Sequence, residues 1–218
     1  ERSALLYFFI FVFFFILLIK LSLRGKITIS LFVALITFFS LTFNENIYNR
    51  IVKFTYFQLF ENNQINTFSI QHQLIYTTSL KIIRENYIMG VGPKNFRIIC
   101  EDYKTFSELD GSEDGCSTHP HNTYLQLWAE SGLLSFLFIS IFYILIFYYI
   151  IKTSIRNNLF KNVDNNLTFN LLILSILINL WPFVPTGNFF NNWLSILYYL
   201  PFGFILFKYI ENFEIKDD

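Results

Sequence analysis

Residues 132–151 read GLLSFLFISIFYILIFYYII, an uncharged run long enough to cross about 30 Å of hydrocarbon as a helix. Four further apolar runs surround it: Ala4 to Leu23, Ile27 to Phe43, Leu167 to Val184 and Trp193 to Phe207, the second and last of these being the shortest. The whole composition agrees, with 54% hydrophobic residues, 29 phenylalanines and only 15% charged residues in 218. A soluble chain of this length does not have that balance. The expected fold is all-α and integral to a membrane, with about five transmembrane helices and a large, mainly helical extracytoplasmic loop.

Lysine and arginine next to the spans set the orientation, because short basic flanks stay cytoplasmic. Lys20, Arg24 and Lys26 fill one turn, Lys152, Arg156 and Lys161 another, and Lys208 and Lys216 follow the last span. These places fall on one side, which assigns residues 1–43 to two spans, 44–131 to an outward loop, and 132–218 to three spans and a short cytoplasmic tail. The chain begins with Glu rather than Met, close to a span and without a signal-peptide pattern, as expected of a piece of a longer multi-span protein. A formal net charge of zero gives no electrostatic footprint for nucleic acid and favours membrane lipids and lipid-linked molecules as partners.

All three histidines and both cysteines lie in the outward loop. In an oxidising compartment Cys100 and Cys116 are expected either to form a structural disulfide or to remain a buried thiol pair. Closing that loop supplies up to ~3 kcal/mol by restricting the unfolded chain. Asn46 to Glu61 has the spacing of an amphipathic helix lying on the membrane, and Ser69 to Asn86 that of a second helix. Gly90-Val91-Gly92-Pro93 places a proline where a further helix would start, with Lys94 and Arg97 in its first turns. That helix start would hold a phosphate or be an ordinary capped turn. It is no dinucleotide fingerprint, since no strand precedes it and the later glycine is missing. The acidic residues Glu101, Asp102, Glu108, Asp110, Glu113 and Asp114 read as a solvated loop, with a sugar or cation contact as the minority view.

His119-Pro120-His121-Asn122-Thr123 enters the long span. His121 is the candidate general base, since imidazole titrates near neutral pH, and His119 the group that would orient it or the substrate. The residues themselves leave two alternatives open. The histidines and Asn122 can cap the helix starting near Thr123, or His-x-His can chelate, although no third ligand stands at a recognisable spacing. Tyr124, Trp128, Trp181 and Trp193 suit either sugar stacking or the aromatic belt of a membrane protein.

The pattern His121-Asn122, nine residues, Gly132-Leu133-Leu134 resembles the His-Asn and Gly-x-x-Gly motif of the O-antigen ligase and O-antigen polymerase group of membrane glycosyltransferases, with Ser135 in place of the second glycine. Arg2 to Leu6 is similar to that group's Arg-x-x-x-Leu element, and Tyr76 to Phe96 to its segment ending in Gly-x-Gly-Pro and an aromatic residue. The resemblance covers most of the chain. It implies inverting, metal-independent transfer of a glycan from an undecaprenyl diphosphate carrier to an acceptor hydroxyl, on another glycan or lipid A core, at the periplasmic face of the bacterial cytoplasmic membrane, with no cofactor. His121 would then be the base, Arg2 would bind the diphosphate, and the position of the family's second arginine falls on His72. Arg97 and Arg50 are the other candidates for that missing charge. A non-catalytic component of polysaccharide export or flipping is the rival reading.

Overall fold

The structure, a computed structural model, describes residues 2–60, 68–106, 114–159 and 167–214. The described residues form α1 (Arg2–Leu18), α2 (Leu23–Phe43), α3 (Glu45–Tyr48), a π-helical turn (Asn49–Lys53), α4 (Phe54–Leu59), α5 (Ile70–Glu85), α6 (Phe96–Tyr103), α7 (Thr123–Leu159), α8 (Leu167–Asn179) and α9 (Asn192–Glu214). Lys161, Lys216, Glu108, Asp110 and Glu113 lie outside the described residues, as do the side chains of Arg2 and Lys208.

Two helices, α2 and α7, are long and apolar enough to cross a membrane, while the apolar stretches of α1, α8 and α9 are shorter. None of the residues of α2 is buried, and Leu31, Phe32, Phe38 and Phe43 project from it. A helix apolar on every side needs lipid or protein around it. Three of its hydroxyls are satisfied within the helix: Thr28, Ser30 and Thr37 each donate to the carbonyl four residues back. That local pairing lets polar side chains sit in an apolar segment without an outside partner.

A first core joins α1, α7 and α8 through Phe14, Leu18, Ile146, Ile150, Leu174 and Leu177. Polar ties fix its ends. Asn157 Nδ2 donates to the Leu18 carbonyl at 3.0 Å and Ser154 Oγ to that of Leu17 at 3.3 Å, so the C-terminus of α1 meets the C-terminal part of α7. At 1.5 Å per residue α1 runs about 25 Å from there, which carries the backbone of Arg2 toward the opposite end. A second, smaller core holds Ile75, Ile82 and Ile83 of α5, Phe96 and Cys100 of α6, and Ala129 of α7. Cys100 and Cys116 are joined by a disulfide with their Cα atoms 5.2 Å apart.

The two cores meet at a break in α7. Gly132 has φ 81° and ψ −175°, so the helix stops and restarts there. The turn after α5 fills the gap: Val91 N–H donates to Ala129 O at 2.9 Å, Gly92 N–H to Glu130 O at 2.8 Å, and Leu133 N–H to Tyr87 O at 3.1 Å. Backbone approaches this close because Gly90, also at positive φ, has no side chain; a Cβ there would lie 2.6 Å from the Glu130 carbonyl carbon.

Several sequence expectations change here. Ser69 and Asn86 do bound α5, with Ser69 Oγ accepting from His72 N–H. Pro93 does not start a helix: α6 begins at Phe96, and Lys94 sits before it at φ 63°. Segment 45–59 is helical but interrupted by the π turn, and α8 ends at Asn179, short of Val184.

Candidate functional site

The loop entering α7 brings all three histidines together. The rings of His119 and His121 are 4.1 Å apart and those of His72 and His121 5.5 Å apart, although α5 carries His72 from far upstream. His121 has φ 53°, a left-handed backbone conformation uncommon outside glycine, and its carbonyl accepts from Thr186 N–H at 2.8 Å. The next residue caps the helix: Asn122 Oδ1 accepts from Tyr124 N–H at 3.0 Å and Leu125 N–H at 3.1 Å, and its Nδ2 donates to Pro182 O at 2.9 Å. Asn122 therefore caps α7, and neither imidazole takes part in that cap.

The tautomer of His119 follows from its partners. Its Nε2 faces the Thr186 carbonyl at 3.3 Å, and a carbonyl only accepts, so Nε2 carries the proton. Nδ1 is then the acceptor for the Thr118 hydroxyl at 2.9 Å, and both nitrogens are engaged. His121 differs, since its Nε2 lies 3.1 Å from Ser117 Oγ and, among the described residues, no partner takes Nδ1. Burial, then the neighbouring His119 and His72, lowers the His121 pKa to about 4, so the ring is neutral at pH 7. Burial likewise lowers that of His119, against the opposing effect of the Thr186 carbonyl. On the α5 side the Tyr76 hydroxyl is buried with no hydrogen-bond partner among the described residues. Among those residues no group of three His, Cys, Asp or Glu side chains is arranged to hold a metal ion.

At the start of α6, after the turn at residues 90–93, one backbone donor is already taken by a side chain of α7. Phe96 N–H donates to Glu130 Oε1 at 3.1 Å, and Glu130 is fully buried. Gln126 extends this link. Its Nε2 donates to Glu130 Oε2 at 3.0 Å and to Asn188 Oδ1 at 2.8 Å, and its Oε1 accepts from Phe189 N–H. Lys94 and Arg97 are left on the outside, lining a cavity of about 280 Å³ with Asn188, Phe190, Asn191 and Trp193.

Of the four positive candidates named from sequence, the structure sets His72 against His121, Arg97 in the cavity beside loop 186–192, and Arg50 exposed in the π turn. Arg2 begins α1, its side chain outside the described residues. Sequence reasoning missed Ser117, Glu130, Thr186 and Asn188. The run Asn188-Phe189-Phe190-Asn191-Asn192-Trp193, three amides between two apolar stretches, is the signal that points to that loop.

A family model described as O-antigen ligase matches residues 1–140. No curated protein and no solved structure matches the chain.

Proposed function

Because the chain belongs to the O-antigen ligase family, a glycosyltransferase-like membrane enzyme of surface polysaccharide assembly, we propose that it moves a glycan from an undecaprenyl diphosphate carrier to an acceptor hydroxyl, with His121 as the base. The observation that carries this reading is the asymmetry of the two histidines. His119 has both nitrogens engaged, while His121 is neutral, held in an unusual backbone conformation and uncommitted at Nδ1. Strained backbone of this kind persists where the surroundings hold a group for use.

In the proposed step, Nε2–H of His121 donates to Ser117 and Nδ1 takes the proton of the acceptor hydroxyl. The acceptor oxygen attacks the anomeric carbon as the bond to the carrier phosphate breaks, and the diphosphate leaves with the electron pair. Attack opposite the leaving group inverts the anomeric carbon. Charge growing on the diphosphate is met by cations, with Arg2 and His72 the nearest fits, since α1 runs its first turn toward the histidine end and His72 touches His121. No metal is required by this scheme. In this reading the chain has five spans with residues 44–131 facing the periplasm, the side on which lipid-linked glycans would meet their acceptors. An acceptor glycan makes the reaction a polymerisation and lipid A core makes it a ligation.

Replacing His121 by Ala in the full-length protein and measuring transfer from the lipid carrier, with and without chelator, tests the reading. A loss of about 10²- to 10⁴-fold is expected. Turnover that survives the substitution overturns the base assignment, absence of any transfer from the wild type favours the export or flipping rival, and loss of wild-type turnover on adding chelator assigns the histidines to a metal.

A further inference from the structure

The cavity lined by Lys94 and Arg97 is not used by the proposed chemistry, yet it is built with some care. Lys94 is held at φ 63° by the turn closed between Asn95 N–H and Gly92 O, and Arg97 Nε donates to the Lys94 carbonyl at 3.2 Å. That bond holds the guanidinium at the cavity, whose lining also includes Lys94. Among the described residues neither is ion-paired; the salt bridges there belong to Lys104. Like charges placed together without a counterion are costly, and an arriving anion relieves the cost.

The opposite wall offers amides and an indole. Asn188 Oδ1 is used by Gln126 and Phe190 N–H, and Asn191 Oδ1 by Trp193 N–H, while among the described residues no partner takes the Nδ2 donor of either. Trp193 is 82% exposed at the rim. Flat apolar rings next to free amide donors suit a saccharide, whose C–H face stacks and whose hydroxyls accept. A lipid headgroup would use the cations but has no ring for the indole.

We propose that this cavity is a subsite for an acidic sugar of the glycan, a carboxylate- or phosphate-bearing residue held by Lys94 and Arg97 with its ring against Trp193. The identity of the ligand as part of the transferred or accepting glycan rests on the transferase reading above. Thr186 touches His119 and His121 while Asn188 lines the cavity, and two residues of chain span at most about 7 Å. A short saccharide bridges that gap. Gln126, buried between Glu130 and Asn188, keeps the two sites in register.

Calorimetric titration of the full chain in detergent with trigalacturonate, maltotriose and inorganic pyrophosphate tests the proposal. Trigalacturonate is expected to bind at least about tenfold more tightly than neutral maltotriose. The preference should disappear in the double variant Lys94→Gln/Arg97→Gln, and both sugars should weaken in Trp193→Ala. Equal binding of the acidic and neutral sugars, or no change in the double variant, overturns it. So does displacement of trigalacturonate by pyrophosphate or short-chain phosphatidylglycerol at comparable concentration, which would assign the anion to the carrier or to the bilayer. Binding is read without turnover, so failure of the His121 assignment in the transfer assay and failure of this subsite are separate results.

Discussion

Gly132 packs its backbone directly against the carbonyl of Ile88, in the break that divides α7. This contact is where the first turns of α7, which follow the histidine loop, part from its apolar continuation. It gives a physical reason for a glycine ten residues beyond Asn122: φ 81° disfavours any side chain, and a Cβ would collide with the Ile88 carbonyl. Gly132→Ala is expected to destabilise the full-length protein by about 2 kcal/mol or more and to lower transfer, since strain and collision add. Gly203→Ala is the control, because nothing lies within 4 Å of its missing Cβ. Thermal unfolding of both variants in detergent checks this, and equal midpoints would refute the backbone account.

The pH dependence of transfer should also carry a signature. The folded pKa of His121, about 4, lies below the unfolded value near 6.5, so the base stays neutral well into mild acid. The acid limb of kcat/KM, which reports the free enzyme, is expected between pH 4 and about 6.5. His119→Gln removes one of the lesser lowering causes and should move that limb upward, though not to 6.5, because burial is the larger cause. The linkage has a definite sign. The unfolded chain takes up this proton first as pH falls, so the stability associated with neutral His121 is lost between about 6.5 and 4. A limb at or above 6.5 would count against His121 as the base.

The contrast between what sequence conveys and what it hides is visible in particular residues. Ser69, Asn86 and Asn122 act through bonds to near neighbours, and local signals of that kind are readable from the letters alone. Pro93 misled: α6 begins instead at Phe96, whose N–H is taken by Glu130 from 34 positions away. Thr186 and Asn188 lie more than 60 residues beyond the partners they serve in α7 and just before it, and nothing in their own neighbourhood announces those partners. His72 was legible as a position in a motif, but its ring contact with His121 is a product of α5 packing on α7. The apolar runs were legible as helices, while their lengths depend on caps and breaks such as Gly132.

The Cys100–Cys116 bridge offers a third test. Cys100 is fully buried beside Phe96 in the smaller core, and Cys116 immediately precedes Ser117, the partner of His121. Replacing both cysteines by Ser should cost up to about 3 kcal/mol, through the freed unfolded chain. It should also lower transfer by loosening Ser117. Unfolding midpoints with and without reductant, compared with the double variant, check the first part. Ser117→Ala, in which the bridge remains, isolates the second. Full activity in Ser117→Ala would remove Ser117 from the base.

Topology can be tested where the packing makes a sharp claim. From Gly132 to Lys152 the α7 backbone rises about 30 Å, the thickness of the hydrocarbon, so the histidine cluster and Arg156 should lie on opposite faces. The bonds from Asn157 and Ser154 to the end of α1 put Leu18, and the basic turn after it, at the Arg156 face. Basic residues collect on the cytoplasmic side, so the histidines are expected to face outward. In a background without the native cysteines, a cysteine at Ser112 should react with an impermeant thiol reagent in intact cells, and one at Asn158 only after permeabilisation. Labelling of both from the same side would break the five-span arrangement and separate His121 from lipid-linked glycans presented at the outer face.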